Sequence, residues 1–368
     1  MTEKKKISFL LNPISGTQGK EQIVKLIHEK LETSLYDYEI IKTEYAGHAV
    51  VLAKACAEKG DFAVVAIGGD GTVNEIARSL GKVAKISLRV NPDIDAHTHK
   101  YISTGRKEDK FGISPWEFGS VVDMIASLKG VKLIGLHFHV GSQLFDTEDY
   151  TKSIGKTLEL MKALKDTLNF TTKELNMGGG FGAVINPAIP AMTSEFYTDA
   201  MMKALHEGCK GYGLEVPRAI IEPGRWIVSE AGITLYTVEN VRELPGVTYI
   251  AVNGGMSDNP RVALYQAEYN AVKADDVDGA IYRPSNGGKV SVVGKCCESG
   301  DILIDDADLQ EVRAGDVIAL YNTGAYTFSM SSSYNYLPRP AVVFVEEGNA
   351  RVVAERQTME DLIRGQVL

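Results

Sequence analysis

Cysteine is scarce in this chain of 368 residues: Cys56, Cys209, Cys296 and Cys297 are the only four. None forms a C-x-x-C pair, and the adjacent two are poorly placed to bridge each other. That argues against a disulfide scaffold and makes a reducing cytoplasm the simplest expected compartment. Long apolar runs are missing too, since none reaches the ~20 residues a membrane span needs. The basic N-terminus leads into no uninterrupted apolar stretch and no small-residue cleavage site, so no secretory signal is expected. Clustered positive charge is confined to Lys4, Lys5 and Lys6, read as a solvated N-terminus. With a formal net charge of -9, neither nucleic acid nor an anionic membrane is an expected partner. Internal repeats and low-complexity linkers are absent as well.

What remains is an ordinary globular composition, 44% hydrophobic and 24% charged, long enough for two or three domains. The first eighty residues alternate strand and helix. "KISFLLNP", "YDYEIIKTE" and "FAVVAIGG" read as strands, the last buried on both faces by its continuous apolar character. "KEQIVKLIHEKLE" places Ile23, Val24, Ile27 and Leu31 on one helical face, and "HAVVLAKACAEKG" is a helix closed by Gly60. The alternation continues through "KISLRVNP", "VKLIGLHFHVG", "KELNMGGGFG" and "RAIIEPGR". Helices are expected between them, one opening at "SPWEF" with Ser114 as N-cap, Pro115 at the first helical position and Glu117 completing a capping box. From about Ile233 short alternating runs separated by "NGG", "AGD" and "EGN" predict an all-β domain, with a short helix at "TMEDLIRGQ". The fold class is therefore α/β followed by all-β.

Polar and glycine chemistry lies just after the later strands, at their C-terminal ends, where parallel α/β folds build their sites. The groups there suit pyridoxal phosphate, which needs N–H donors for its phosphate, a carboxylate for its pyridine nitrogen, a stacking partner for its ring and a lysine for its aldehyde. "GGGFG" can supply N–H groups, although glycine runs also make plain turns. "EPGR" places Glu222 at a strand end, where it either faces a pyridinium or makes a loop salt bridge. "HFHVGS" puts His137 and His139 on the same side of a strand, with Ser142 within reach of a phosphate. A second reading is metal: "HTH" and "HFH" hold four of the seven histidines, and an H-x-H pair can bind zinc, but no further ligand set follows.

Taken together, residues 82–368 resemble diaminopimelate decarboxylase, a fold-type III pyridoxal phosphate enzyme. "SLRVNPDIDAHTHKYISTGRKEDKFGI", "GLHFHVGSQ", "NMGGGFG", "EPGR", "GGMSDNPRVALY", "CCESGD" and "GAYTFSMSSSYNYLPRP" follow in that family's order. The resemblance implies roles. His139 stacks on the ring. Ser142, Gly178, Gly179 and Gly180 hold the phosphate, with Tyr326 adding a hydroxyl, and Glu222 holds the pyridine nitrogen. Arg225, Arg261, Tyr265 and Glu298 read the zwitterionic distal end of the substrate, the arginines by bidentate geometry. Cys297 donates or relays a proton, or is simply a buried small residue. In the family "CESGD" reaches the site from a partner subunit, so a homodimer is implied. Asn253 stands where many relatives have Asp.

The family's "Y-A-x-K-A-N" segment, which carries the lysine for the aldehyde, is absent from the sequence. Lys54 in "LAKACA" is not accepted as its equivalent, because it lies in a helical pattern with no preceding strand. Residues 1–80 instead resemble the opening of a diacylglycerol or other lipid kinase catalytic domain, through "NPISG" and "GGDGTVNE". That resemblance implies a nucleotide site, with Mg-ATP as its ligand, at Asn12, Gly68, Gly69, Asp70, Gly71 and Thr72. The chain thus reads as a fusion joined near Ser79 to Val83, with a lipid-kinase-like segment at 1–80, half of a pyridoxal phosphate barrel at 81–230 and a β-domain at 231–368. Three kinase-like βα units and four later strands are expected to make one continuous α/β body. The implied activity is decarboxylation of meso-2,6-diaminopimelate to L-lysine and carbon dioxide, impaired by the missing lysine. The alternatives are an ATP-dependent lipid kinase or a non-catalytic fusion.

Overall fold

The computed structural model describes residues 4–14, 20–80, 83–92, 111–114, 116–128, 130–183 and 192–366. The chain divides into two compact units, Met1–Ser87 with Trp116–Ile134, and Leu88–Pro115 with Gly135–Leu368.

The first unit holds β1 (Lys5–Leu11), α1 (Lys20–Lys30), β2 (Tyr36–Lys42), α2 (His48–Glu58), β3 (Ala63–Ile67) and α3 (Asp70–Ser79). The strands form a parallel sheet in the order β2-β1-β3. β1 is central, which explains its unbroken apolar run. Leu10 packs with Ala49, Ala53, Cys56 and Ile76 on one face, while Phe9 and Leu11 join Ile67, Val24 and Ile27 on the other. β3 corrects an expectation: among the described residues it is an edge strand rather than one buried on both faces, and Val65 is 37% exposed. A second correction concerns the helix predicted from "SPWEF". It begins later, as α4 (Phe118–Ser127), with Glu117 at the N-cap and no side-chain cap hydrogen bond. Residues 116 and 117 form a turn rather than the first residues of the helix, and Pro115 lies outside the described residues.

Two strands, β4 (Ala84–Arg89) and β5 (Val131–His137), begin in the first unit and end in the second. With β6 (Glu174–Asn176) and β7 (Arg218–Ile220) they form a four-stranded sheet in chain order. This is the second half of a barrel. Among the described residues it shares no ladder with β1–β3. α5 (Glu148–Leu168) follows β5, α6 (Ser194–Tyr212) follows β6, and α7 (Gly224–Val228) follows β7. Sequential parallel strands joined through helices leave all their C-terminal ends on one side.

Beneath those ends lies an aromatic trio. Phe181 and Tyr197 stack with ring centroids 4.2 Å apart, and Tyr150 meets Phe181 edge-on. All three are buried. Their hydroxyls are satisfied by the chain above them: Tyr150 Oη donates to the Gly179 carbonyl at 3.0 Å and Tyr197 Oη to that of Leu144 at 2.7 Å. Buried polar tips need such partners, so the trio also fixes the loops.

The rest of the second unit is the expected β-domain. Its strands are β8 (Thr234–Leu244), β9 (Val247–Val252), β10 (Ala271–Lys273), β11 (Lys289–Val293), β12 (Ile302–Ile304) and β13 (Val317–Leu320), with α8 (Arg261–Tyr265) between β9 and β10. They form one sheet ordered β10-β13-β8-β9-β11-β12. Val238, Ile250, Val252, Val292, Leu309 and Ile318 fill its core. β14 (Val342–Glu346) and β15 (Asn349–Ala354) make a separate hairpin, and the predicted terminal helix is α9 (Met359–Ile363).

Candidate active site

β6 ends at Asn176, between His137 of β5 and Ile220 of β7 in the ladder. The chain then turns through Gly178–Gly180. Here glycine is compulsory. Gly178 has φ +70° and Gly180 φ +101°, both in the left-handed region. A Cβ on Gly179 would lie 1.9 Å from the Glu222 carbonyl oxygen, and one on Gly178 would lie 2.6 Å from that of Phe138.

The N–H groups of this turn are not all free. Gly178 N donates to Asn176 Oδ1 at 2.9 Å, and Gly179 N donates to His139 Nδ1 at 3.1 Å. Gly180 N donates to nothing among the described residues. His139 Nδ1 accepts, so the neutral ring carries its proton on Nε2. Burial, helped by the Arg89 charge, pushes the pKa of His139 down to about 4. The ring is uncharged at neutral pH.

Glu222 follows β7. Its Oε1 accepts from Asn176 Nδ2 at 2.8 Å, and its Oε2 stands 3.5 Å from His137 Nε2. That second contact is a close approach without hydrogen-bond geometry, for His137 Nε2 has no hydrogen-bond partner. The strand ladder ends at His137, and His139 lies beyond it. Burial lowers the pKa of His137 against the pull of Glu222. Arg89, at the end of β4, lies over the Phe111 ring at 4.9 Å; burial also lowers its pKa, and Glu222 opposes that. One carboxylate therefore faces a half-buried arginine and two neutral histidines.

Ser142, Arg225 and Tyr326 form a second group. Arg225 Nε and Nη2 donate to Ser142 Oγ at 3.2 and 3.1 Å, and the guanidinium lies 4.6 Å over the Tyr326 ring. Tyr326 has φ +61°, an uncommon backbone state for a tyrosine. Burial first, then the neighbouring Arg261 charge, lowers Arg225 to about 10. Arg225 was expected among the substrate residues; the structure joins it to Ser142 and Tyr326, within electrostatic reach of Arg261 and Tyr265.

Arg261 is buried; its Nη1 donates to Tyr269 Oη at 3.1 Å and its Nε has no partner. Glu298 accepts from Tyr334 Oη. Cys297 is exposed and Cys296 buried. The Asp301 carboxylate accepts from Met256 N at 2.6 Å and Cys296 N at 2.7 Å, tying "GGMSD" to "CCESGD". A cavity of about 570 Å³ lies away from Glu222 and His139, between α8 and β12.

Sequence reasoning missed Asn176, Asp301 and Arg89. The signal for Asn176 was present, since an Asn two residues before an obligatory Gly is a turn-forming acceptor. The "HTH" histidines lie outside the described residues. Among the described residues, the group spaced for a metal is Glu39, Cys56 and Asp61, which contains no histidine. Lys6 Nζ already stands 2.9 Å from Glu39 there.

In the first unit Asn12 Nδ2 donates to Thr72 Oγ1 at 3.1 Å, joining "NPISG" to "GGDGT". Gly69 is the N-cap of α3 with extended φ −82°, and Gly71 has open space around its Cβ position. Gly68 is exposed and Thr72 buried; the Asp70 side chain lies outside the described part. Lys54 is exposed on α2.

The model of the family "Pyridoxal-dependent decarboxylase, pyridoxal binding domain" matches residues 54–229, and that of "Diacylglycerol kinase catalytic domain" matches residues 6–94. The diaminopimelate decarboxylase of Staphylococcus aureus (strain COL) is 38% identical over 299 residues, 78% of this chain and 67% of that protein. The chain belongs to the diaminopimelate decarboxylase family. The Bacillus subtilis (strain 168) decarboxylase is 41% identical over 295 residues, covering 79% of this chain and 66% of the relative. The chain thus spans about two thirds of the length of the curated decarboxylases it matches. The crystal structure of diaminopimelate decarboxylase from Helicobacter pylori complexed with L-lysine is similar at a TM-score of 0.68 with 28% identity, over 97% of this chain and 83% of that one. Among the described residues, no helix of this family member is long and apolar enough to cross a membrane.

The residues present fit pyridoxal phosphate. Glycine is forced at the turn, an uncharged imidazole and a carboxylate stand beside it, and a serine and a buried arginine are joined nearby.

Proposed function

We propose that this chain is a pyridoxal phosphate-dependent carboxy-lyase of diaminopimelate decarboxylase type, acting on meso-2,6-diaminopimelate to give L-lysine and carbon dioxide, with turnover impaired by the missing lysine segment. The observation that carries it is the Glu222–Asn176–Gly178 and Gly179–His139 hydrogen-bonded wall at the ends of β5–β7. When bound, pyridoxal phosphate supplies an electron sink for the pair left by the departing carboxylate.

The chain's own residues do the rest. Glu222 holds a proton at the ring nitrogen. The neutral His139 ring offers an apolar face for stacking. Ser142, Gly180 N–H, Arg225 and the Tyr326 hydroxyl meet the phosphate. Gly178 and Gly179 shape the turn, their N–H groups serving Asn176 and His139. Arg261, Tyr265 and Glu298 orient the distal carboxylate and ammonium, with Arg225 between the two ends. Cys297 is the proton donor, in a homodimer that brings it to the site. The four free cysteines suit a cytoplasmic enzyme.

Residues 81–230 are the cofactor half-barrel, 231–368 the decarboxylase β-domain and 1–80 the lipid-kinase-like segment. A second reading covers that segment. The kinase-family match and the Asn12–Thr72 hydrogen bond favour Mg-ATP at Asn12, Gly68, Gly69, Asp70, Gly71 and Thr72.

Carbon dioxide release from diaminopimelate, measured beside an intact family enzyme, tests the main reading. We expect a rate lower by ~100-fold or more, the loss typical of a missing acid–base group. A rate equal to the intact enzyme's sinks the impairment. Labelled lipid after incubation with ATP and diacylglycerol would establish the second reading.

A further inference from the structure

We propose that Asn176 is a positioning residue, which holds the Glu222 carboxylate in register with the glycine turn; the inference rests on the cofactor reading above. Asn176 is the last residue of β6, and its amide is used at both ends. Oδ1 accepts from Gly178 N at 2.9 Å, and Nδ2 donates to Glu222 Oε1 at 2.8 Å. The orientation follows from the partners. A backbone N–H can only donate, so the amide oxygen must face Gly178, which leaves the NH2 for the carboxylate. The Asn176 main chain is fixed separately, for its carbonyl accepts from Phe138 N at 2.9 Å.

Other groups near Glu222 do not replace this hold. His137 Nε2 is 3.5 Å from Oε2 without hydrogen-bond geometry, and Arg89 Nη2 has no hydrogen-bond partner. The Glu222 side chain is 51% exposed, so without Asn176 it has rotamers open to water. The amide is also neutral. It orients the carboxylate without adding a second negative charge beside a ring nitrogen.

The test titrates the full-length protein with pyridoxamine 5′-phosphate, which needs no lysine because it has no aldehyde. Fluorescence reads affinity, absorbance against pH reads the bound ring-nitrogen pKa, and urea unfolding reads the fold. Asn176→Leu removes both bonds. We expect binding weakened about tenfold and a lower ring-nitrogen pKa. Asn176→Asp keeps the Gly178 bond and the turn but sets a second carboxylate beside Glu222. It should lose the Nδ2 donor and push Glu222 out of register, so the ring-nitrogen pKa should fall as it does in Asn176→Leu. Glu222→Gln should lower that pKa further than Asn176→Leu does.

If Asn176→Asp leaves the ring-nitrogen pKa at its wild-type value while Glu222→Gln moves it, Asn176 is a turn residue only and the proposal is overturned. That result stands even where Asn176→Leu does not fold. If the wild type does not bind pyridoxamine 5′-phosphate, the cofactor reading itself fails, and this inference with it.

Discussion

Two glycine-rich loops, Gly68–Gly71 and Gly178–Gly180, look alike as text and differ as physics. The second is locked. Two of its glycines have positive φ, and a Cβ on the third would lie 1.9 Å from a carbonyl oxygen. Two of its N–H groups are already given to side chains, and Tyr150 holds the Gly179 carbonyl from below. The first is not forced in that way. Gly69 has extended φ, Gly71 faces open space, and Asn12 Nδ2 donates to Thr72 Oγ1 beside them. A glycine run marks a built site only where packing leaves no other residue possible.

The sharpest way to break this contrast is to add a methyl group to each loop. Gly179→Ala should destabilise by about 3 kcal/mol in urea unfolding, the upper range for forced overpacking. Tolerance of alanine there would remove the ground for calling the turn locked.

The next effect concerns the phosphate end. Arg225→Lys loses the two-nitrogen grip on Ser142 and the planar stack on Tyr326. Affinity for pyridoxamine 5′-phosphate should fall ten- to a hundredfold, equivalent to ~1.4 to 2.8 kcal/mol. An unchanged affinity in isothermal calorimetry would move Arg225 out of that group.

Acid sharpens the comparison in another way. The folded pKa of His139 lies near 4, below its ordinary value, because its ring is buried. Between about pH 4 and 6.5 the unfolded chain therefore binds more protons than the folded one. Stability fully present above pH 6.5 is lost as pH falls through that window, on the order of 2 kcal/mol after allowing for partial exposure. Urea midpoints of wild type and His139→Gln should converge as pH drops from 7 to 4.5. Parallel profiles would show that another group controls the loss.

The smallest effect belongs to the first loop. Gly71→Ala, in the first turn of α3, should stabilise by roughly 0.5 kcal/mol through chain entropy and helix propensity. A loss larger than that would mean the N-terminal loop is as constrained as the other.

Much of this was readable without coordinates. Strand and helix order followed from hydrophobic period, and β1 and β5–β7 lie where their apolar runs put them. Glu222, His139, Ser142 and the glycines were singled out by motif. Their partners were not. Asn176 meets Glu222 across 46 residues and Ser142 meets Arg225 across 83, and no local pattern encodes such pairings. The exposed face of β3 escaped for the same reason, because an edge strand and a central one can carry the same apolar run. The structural match covers 97% of the chain, whereas the Bacillus subtilis sequence match covers 79%. Alternating strand and helix is common to both families, so shape reaches further along the chain than residue identity does.

Composition, periodicity and motif order by themselves determined the fold class, the family and the cast of chemical groups, because these depend on residue type and local spacing. Which strand lies at an edge, which N–H groups are already taken, and which amide holds the carboxylate were decided only in three dimensions. Those are questions of pairing between distant segments, and pairing is settled by packing.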